Sequence, residues 1–198
     1  GAFQTVCAGQ NDAFVMKFCF HPATLTTSVT GQGTIDPTEG THICEEGETV
    51  SLTATPAVGW AFDRWEGDAT GTEPTTSVTM DGDKQVTAVF RQLTFMLTVN
   101  VNGNGTVEPG AGEHAYPGGT TATITATGDW GYSFDHWEGD LSGSENPTTL
   151  LMDSNKTVTA VFDVLTYKLT VEVEGGGAVN PPAGTHTVVG NTDIALTA

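Results

Sequence analysis

Gly59-Trp60-Ala61-Phe62-Asp63-Arg64-Trp65-Glu66-Gly67-Asp68 and Gly131-Tyr132-Ser133-Phe134-Asp135-His136-Trp137-Glu138-Gly139-Asp140 are one ten-residue phrase written twice, 72 positions apart. Working outward from it, residues 25–90 align with 97–162 without an insertion or deletion, and 32 of 66 positions are identical. Met80-Asp81 returns as Met152-Asp153, and Val86-Thr87-Ala88-Val89-Phe90 returns as Val158-Thr159-Ala160-Val161-Phe162. A third copy opens on the same period, with Leu169 answering Leu25 and Leu97, and Gly175 answering Gly31 and Gly103. It runs as far as Ala198, the counterpart of Ala54 and Ala126. A fixed period of this size marks a tandem array of supersecondary units.

Within each unit the local signal is alternation, the period of a half-buried strand. Leu97, Val99 and Val101 share one face, with Thr98, Asn100 and Asn102 on the other. Val101-Asn102-Gly103-Asn104-Gly105 supplies turn chemistry, because Asn and Gly reach positive φ at little cost. Residues 106–108 form a short return strand ended by Pro109-Gly110, and residues 121–127 alternate again about Ala122, Ile124 and Ala126. Residues 131–137 set Tyr132 and Phe134 on one face, with Trp137 just beyond. Residues 148–152 and 156–162 close the unit about an Asp153-Ser154-Asn155 turn, which gives five or six strands. The Gly31-x-Gly33 and Gly103-x-Gly105 pairs lead into strands, so they read as hairpin turns and not as phosphate cradles.

Composition agrees. The 198 residues include 35 threonines and 25 glycines, which suit pleated strands and turns and define an all-β fold class. Six basic against 24 acidic residues, a net charge of -18, leaves no cationic stripe for a nucleic-acid backbone or an anionic membrane. No apolar run reaches the roughly 18 residues of a spanning helix. Residues 1–20 lack the order of a signal peptide.

The chain divides into an N-terminal segment at 1–23, one repeat at 24–92, a second at 93–164 and a partial third at 165–198. The apolar phase breaks at Arg91-Gln92 and again near Asp163-Val164, so the linkers are short and hold no Gly or Pro. Such linkers restrict swinging between neighbours, giving beads on a stiff rod.

The Gly-x-x-Phe-x-x-Trp-Glu-Gly-Asp phrase, the closing Met80-Asp81 and Lys84-x-Val86-Thr87-Ala88-Val89-Phe90, and the opening Leu97-Thr98-Val99-Asn100-Val101-x-Gly103-x-Gly105-Thr106-Val107-x-Pro109 together resemble a known repeat. It is the divergent B-repeat of bacterial internalin-type surface proteins, matched in full over about 24–91 and 96–163 and in its first half over 168–198. The resemblance implies small, mainly β, grasp-like domains on secreted or surface-anchored proteins, serving as stalk, spacer or adhesion module. It brings no catalytic motif.

Several constellations invite chemistry. Asp63, Glu66 and Asp68, with Asp135, Glu138 and Asp140, read as acid/base pairs or as calcium ligands. Against this, an array copies its packing code everywhere whereas an active site is needed once, so a turn after a core tryptophan is the favoured reading. Phe62, Trp65, Phe90, Phe134, Trp137 and Phe162 are assigned to the core ahead of a sugar platform, because a small domain must bury its few large aromatics. Trp130, whose counterpart is Val58, is assigned to the surface. His42, His114 and His186 recur on the period, too far apart to share a zinc ion, and are assigned to strand edges or loops. Among Cys7, Cys19 and Cys44, a Cys7–Cys19 disulfide is favoured, with Cys44 left for Cys19, another chain or burial.

In the segment 11–18, Phe14 and Phe18 fall one period before Val86 and Phe90, so it reads as a worn final strand. Phe14, Met16, Phe18 and Phe20 are therefore the assembly candidates. The partial third repeat is either a cut array or an edge completed by another chain. Three functions follow: an extracellular or cell-surface stalk or adhesive spacer, a filament subunit joined head to tail by strand complementation, and a repeated cation- or carbohydrate-binding module. The expected partners are further copies of the chain or neighbouring repeats, a surface glycan, or a host or neighbouring-cell protein. No enzyme activity and no cofactor other than calcium is expected.

Overall fold

The computed structural model describes residues 22–198. Cys7, Cys19 and the assembly candidates Phe14, Met16, Phe18 and Phe20 lie outside them. Two compact units divide the chain, one ending at Gln92 and one running Leu93–Ala198.

The first repeat contains seven strands: β1 (Pro22–Thr30), β2 (Gly33–Asp36), β3 (Gly40–Glu45), β4 (Thr49–Pro56), β5 (Trp60–Gly67), β6 (Thr75–Thr79) and β7 (Lys84–Gln92). They form a four-stranded sheet in the order β3-β1-β7-β5 and a three-stranded antiparallel sheet in the order β2-β4-β6. The unit's first and last strands, β1 and β7, run parallel side by side at the centre, Leu25 beside Lys84. That pairing is the grasp-like element, and the second sheet closes the core over it.

The second repeat copies this arrangement strand for strand: β8 (Thr94–Asn102), β9 (Gly105–Glu108), β10 (Gly112–Pro117), β11 (Thr121–Gly128), β12 (Tyr132–Gly139), β13 (Thr148–Leu151) and β14 (Lys156–Val164). Its sheets are β10-β8-β14-β12 and β13-β11-β9, and Leu97 lies beside Lys156 in the parallel pair. The third copy contributes a hairpin, β15 (Thr166–Val171) with β16 (Gly184–Val189). Its register holds the period: Leu169 faces His186 as Leu97 faces His114 and Leu25 faces His42. The described residues are all-β, without a helix.

Alternation produces the cores. Leu97, Val99, Ala122, Ile124, Ala126, Val158, Ala160 and Phe162 are buried in one cluster fed by both sheets. Leu25, Leu52, Ala54, Val86, Ala88 and Phe90 do the same in the first repeat. There are seven strands per full repeat where alternation yields five or six. The additional one, β10, reads Gly-Glu-His-Ala-Tyr-Pro, and at this edge only one face meets the core. A flank of that kind needs few apolar residues, so its pattern is weak.

Phe134 and Trp137 are three residues apart, which strict alternation sends to opposite faces. A β-bulge resolves this: the pairing of β12 with β14 skips Asp135 between Phe134 and His136, and that of β5 with β7 skips Asp63. The inserted residue rotates the strand so that both rings turn inward, their centroids 4.8 Å apart in the second repeat and 5.1 Å in the first. Phe162 completes the cluster edge-on to Phe134 at 5.9 Å.

Two glycines of the turn pairs serve different ends. Gly103 holds φ at +94°, which the hairpin turn requires. Gly105 is the seat of the Phe162 ring, since a Cβ there would lie 2.4 Å from Cε1. Gly33 seats Phe90 in the same way.

Candidate functional site

The Trp-Glu-Gly-Asp phrase closes β5 and β12, and each of its residues has an identifiable partner. Trp65 and Trp137 are buried, and their indole N–H groups donate to the carbonyls of Glu73 and Glu145, each at 2.9 Å. Gly67 and Gly139 press against the paired strands β7 and β14: a Cβ would meet the Gln85 carbonyl oxygen at 2.2 Å and that of Thr157 at 2.3 Å. Asp68 and Asp140 finish the contact reciprocally. Their amides donate to those same carbonyls at 2.8 Å, and their carboxylates accept the Gln85 and Thr157 amides at 2.7 and 2.6 Å.

Glu66 and Asp63 flank Arg64 on the outer face, with Arg91 3.8 Å from Asp63. In the second repeat His136 replaces Arg64. Its Nδ1 lies 2.7 Å from the Asp135 carboxylate and its Nε2 3.4 Å from that of Glu138, while the counterpart of Arg91 is Asp163. The bulge makes this possible, because it turns Asp135 and His136 to the same side. Hydrogen bonds to Asp135 and then to Glu138 raise the His136 pKa above its ordinary value.

A raised folded-state pKa adds stability that is fully present below the unfolded value, near pH ~6.5, and is lost as pH rises through the folded value. The site is exposed, so the effect is small and screened by salt. An NMR titration is expected to place His136 above about 6.5, moving back toward it in high salt. His136→Arg, which restores the charge of the first repeat, should remove the part of the pH dependence that His136 contributes. A titration at or below about 6.5 in low salt would contradict the ion-pair geometry.

The remaining turns also hold structure. The Asp83 carboxylate accepts the Thr24 amide and hydroxyl, each at 2.8 Å, which holds its pKa below the ordinary range. Asn155 accepts the Met96 amide at 2.9 Å, one period later. Lys84 pairs with Asp81, and Lys156 pairs with Asp153 at 2.7 Å. His42, His114 and His186 stand on β3, β10 and β16, where Nε2–H donates to the carbonyls of Thr38, Gly110 and Pro182 at 2.6, 2.5 and 2.7 Å. Each histidine thus clamps the loop entering its own edge strand. The sequence shows only the period of the three histidines, since their acceptors are main-chain carbonyls of three different residue types.

Cys44 lies in the core at 8% exposure, and burial, then the nearby Glu48 charge, pushes its thiol pKa up. Trp130 stands on the surface at 77% exposure. Among the described residues, no group of three or more His, Cys, Asp or Glu side chains is placed to hold a metal ion. The groove bounded by Pro22, Ala23, Glu46, Gly82 and Asp83 is open and acidic.

Fold and site together define a tandem β-repeat protein whose repeated phrase locks strands together. A family model described as the divergent InlB B-repeat domain matches residues 23–94 and 95–165. The chain belongs to that family. No curated protein and no solved structure matches it.

Proposed function

We propose that this chain is a non-enzymatic spacer or stalk of an extracellular or cell-surface protein. One observation carries the reading. Most motif residues identical in both copies are ones the fold consumes, as with Trp137 in the core, Gly139 against Thr157 and Asp140 across the β12–β14 contact, while Asp135 and Glu138 stay on the outer face. Variation falls on the outer face, where Arg64 and Arg91 give way to His136 and Asp163 between those two carboxylates and beside them. A protein whose task is length keeps its packing and lets its surface drift. Membership in a B-repeat family points the same way, toward a surface repeat protein. Six Lys and Arg residues in 198 also leave few sites for trypsin-like proteases.

A second reading, the filament subunit, rests on β15. In the full repeats the corresponding edges of β1 and β8 hold β7 and β14 in parallel. A strand from another copy would fit that edge of β15 by parallel pairing.

Antibody raised against the chain should label intact source cells, and light scattering should return a monomer of 20.6 kDa whose melting does not respond to calcium. Absence of surface labelling overturns the spacer reading. Oligomers that vanish when residues 1–22 are deleted transfer the case to the filament. A melting temperature that climbs with calcium transfers it to a cation-binding module.

A further inference from the structure

A two-stranded hairpin is marginal alone in water, so the order of β15–β16 needs a cause. Its own apolar side chains supply little, since Tyr167 and Val189 are 52% and 46% exposed. The cause lies at its base. Leu165, between β14 and β15, donates its amide to the Gly131 carbonyl at 2.7 Å, and its own carbonyl accepts the Gly190 amide at 2.6 Å. Three main-chain segments thereby meet: the turn before β12, the link out of β14, and the residue after β16.

Such an approach is possible only without side chains. A Cβ on Gly131 would stand 2.8 Å from Asn191 N and from the Gly190 carbonyl carbon. A Cβ on Gly190 would stand 2.8 Å from Gly131 Cα and O, and 2.9 Å from Leu165 O. Gly131 has φ +84° and would be glycine for its turn alone. Gly190 has no such backbone requirement, so its neighbours are what exclude a side chain there. One half of the clasp recurs a period earlier within the second repeat, where Gly118 donates to the Leu93 carbonyl at 2.8 Å.

We propose that the turn at 129–131 is a docking seat for the hairpin of the following repeat, and that the Gly131–Leu165–Gly190 clasp fixes the hairpin's orientation on the second repeat. This deepens the spacer reading and rests on it for purpose only: a spacer that sets a distance needs joints that resist bending.

The test uses the full chain with Gly190→Ala, and Gly110→Ala as control, because a Cβ at Gly110 meets nothing within 4 Å. Amide hydrogen exchange and ¹⁵N relaxation are read together. In the wild type, β15–β16 should reorient with β8–β14. Gly190→Ala should lower protection of the Leu165 amide at least tenfold and free the hairpin to reorient faster, leaving β8–β14 protected and Gly110→Ala silent. Unchanged Leu165 protection overturns the clasp, as does a wild-type hairpin that already moves independently. Loss of protection throughout β8–β14 overturns it too, since a joint fails locally. Surface labelling tests the spacer reading separately, and neither result decides the other.

Discussion

Replacing Trp137 with alanine is expected to remove about 3–5 kcal/mol from the second repeat, the range for truncating a large buried aromatic. The side chain is 2% exposed, lies 4.8 Å from the Phe134 ring and satisfies the Glu145 carbonyl. A domain of about 70 residues has roughly 4–10 kcal/mol of stability in all, so the loss removes about a third of it at the least and all of it at the most. In a thermal melt of the full chain, its transition should fall by at least about 12 °C, while that of the first repeat, which retains Trp65, stays in place. Trp137→Phe keeps the contact with Phe134 and loses the indole donor, so a smaller loss of about 1–3 kcal/mol is expected. A melt indifferent to Trp137→Ala would remove the ring from the core and reopen the sugar-platform reading.

Gly139→Ala is the second large effect, with a different origin. A methyl group there would stand 2.3 Å from the Thr157 carbonyl oxygen, a backbone atom with no rotamer to escape into. The residue also holds φ at +92°, which costs an L-residue about 1–2 kcal/mol by itself. Strain and overpacking together point to about 2–5 kcal/mol. The loss would fall on the pairing of Asp140 with Thr157, and hence on the β12–β14 edge. Gly143→Ala separates the two causes: φ there is +85°, but nothing lies within 4 Å of the added atom. Urea denaturation should show a clearly larger loss for Gly139→Ala. Equal losses would mean that backbone conformation alone, and not the close approach to β14, keeps glycine in the phrase.

How far these effects could be read from sequence depends on the range of the interaction. Trp137 as a core residue is a local inference, from size and the scarcity of large aromatics. Its partnership with Phe134 is not, because alternation separates positions three apart and only the bulge at Asp135 reunites them. Gly105 was legible as a turn residue, yet its neighbour is Phe162, 57 positions onward, and only the folded chain brings that ring over it. The carboxylates show the same division. Asp140 could be placed in a turn after Trp137, but its acceptor role toward the Thr157 amide arises from pairing with β14. The weak strand β10 escaped notice because an edge strand carries half the apolar pattern.

By itself the sequence determined the repeat period, the all-β class, the apolar faces and the family, because duplication and alternation are written along the chain at short range. Tertiary structure decided the parallel pairing of first and last strands, the bulge, the reciprocal Asp140–Thr157 contact and the meeting of Gly131 with Gly190. These depend on which strands become neighbours across tens of residues. Local preference cannot specify that choice, since it is made by burying several apolar faces at once in one core and by satisfying the backbone groups this brings together.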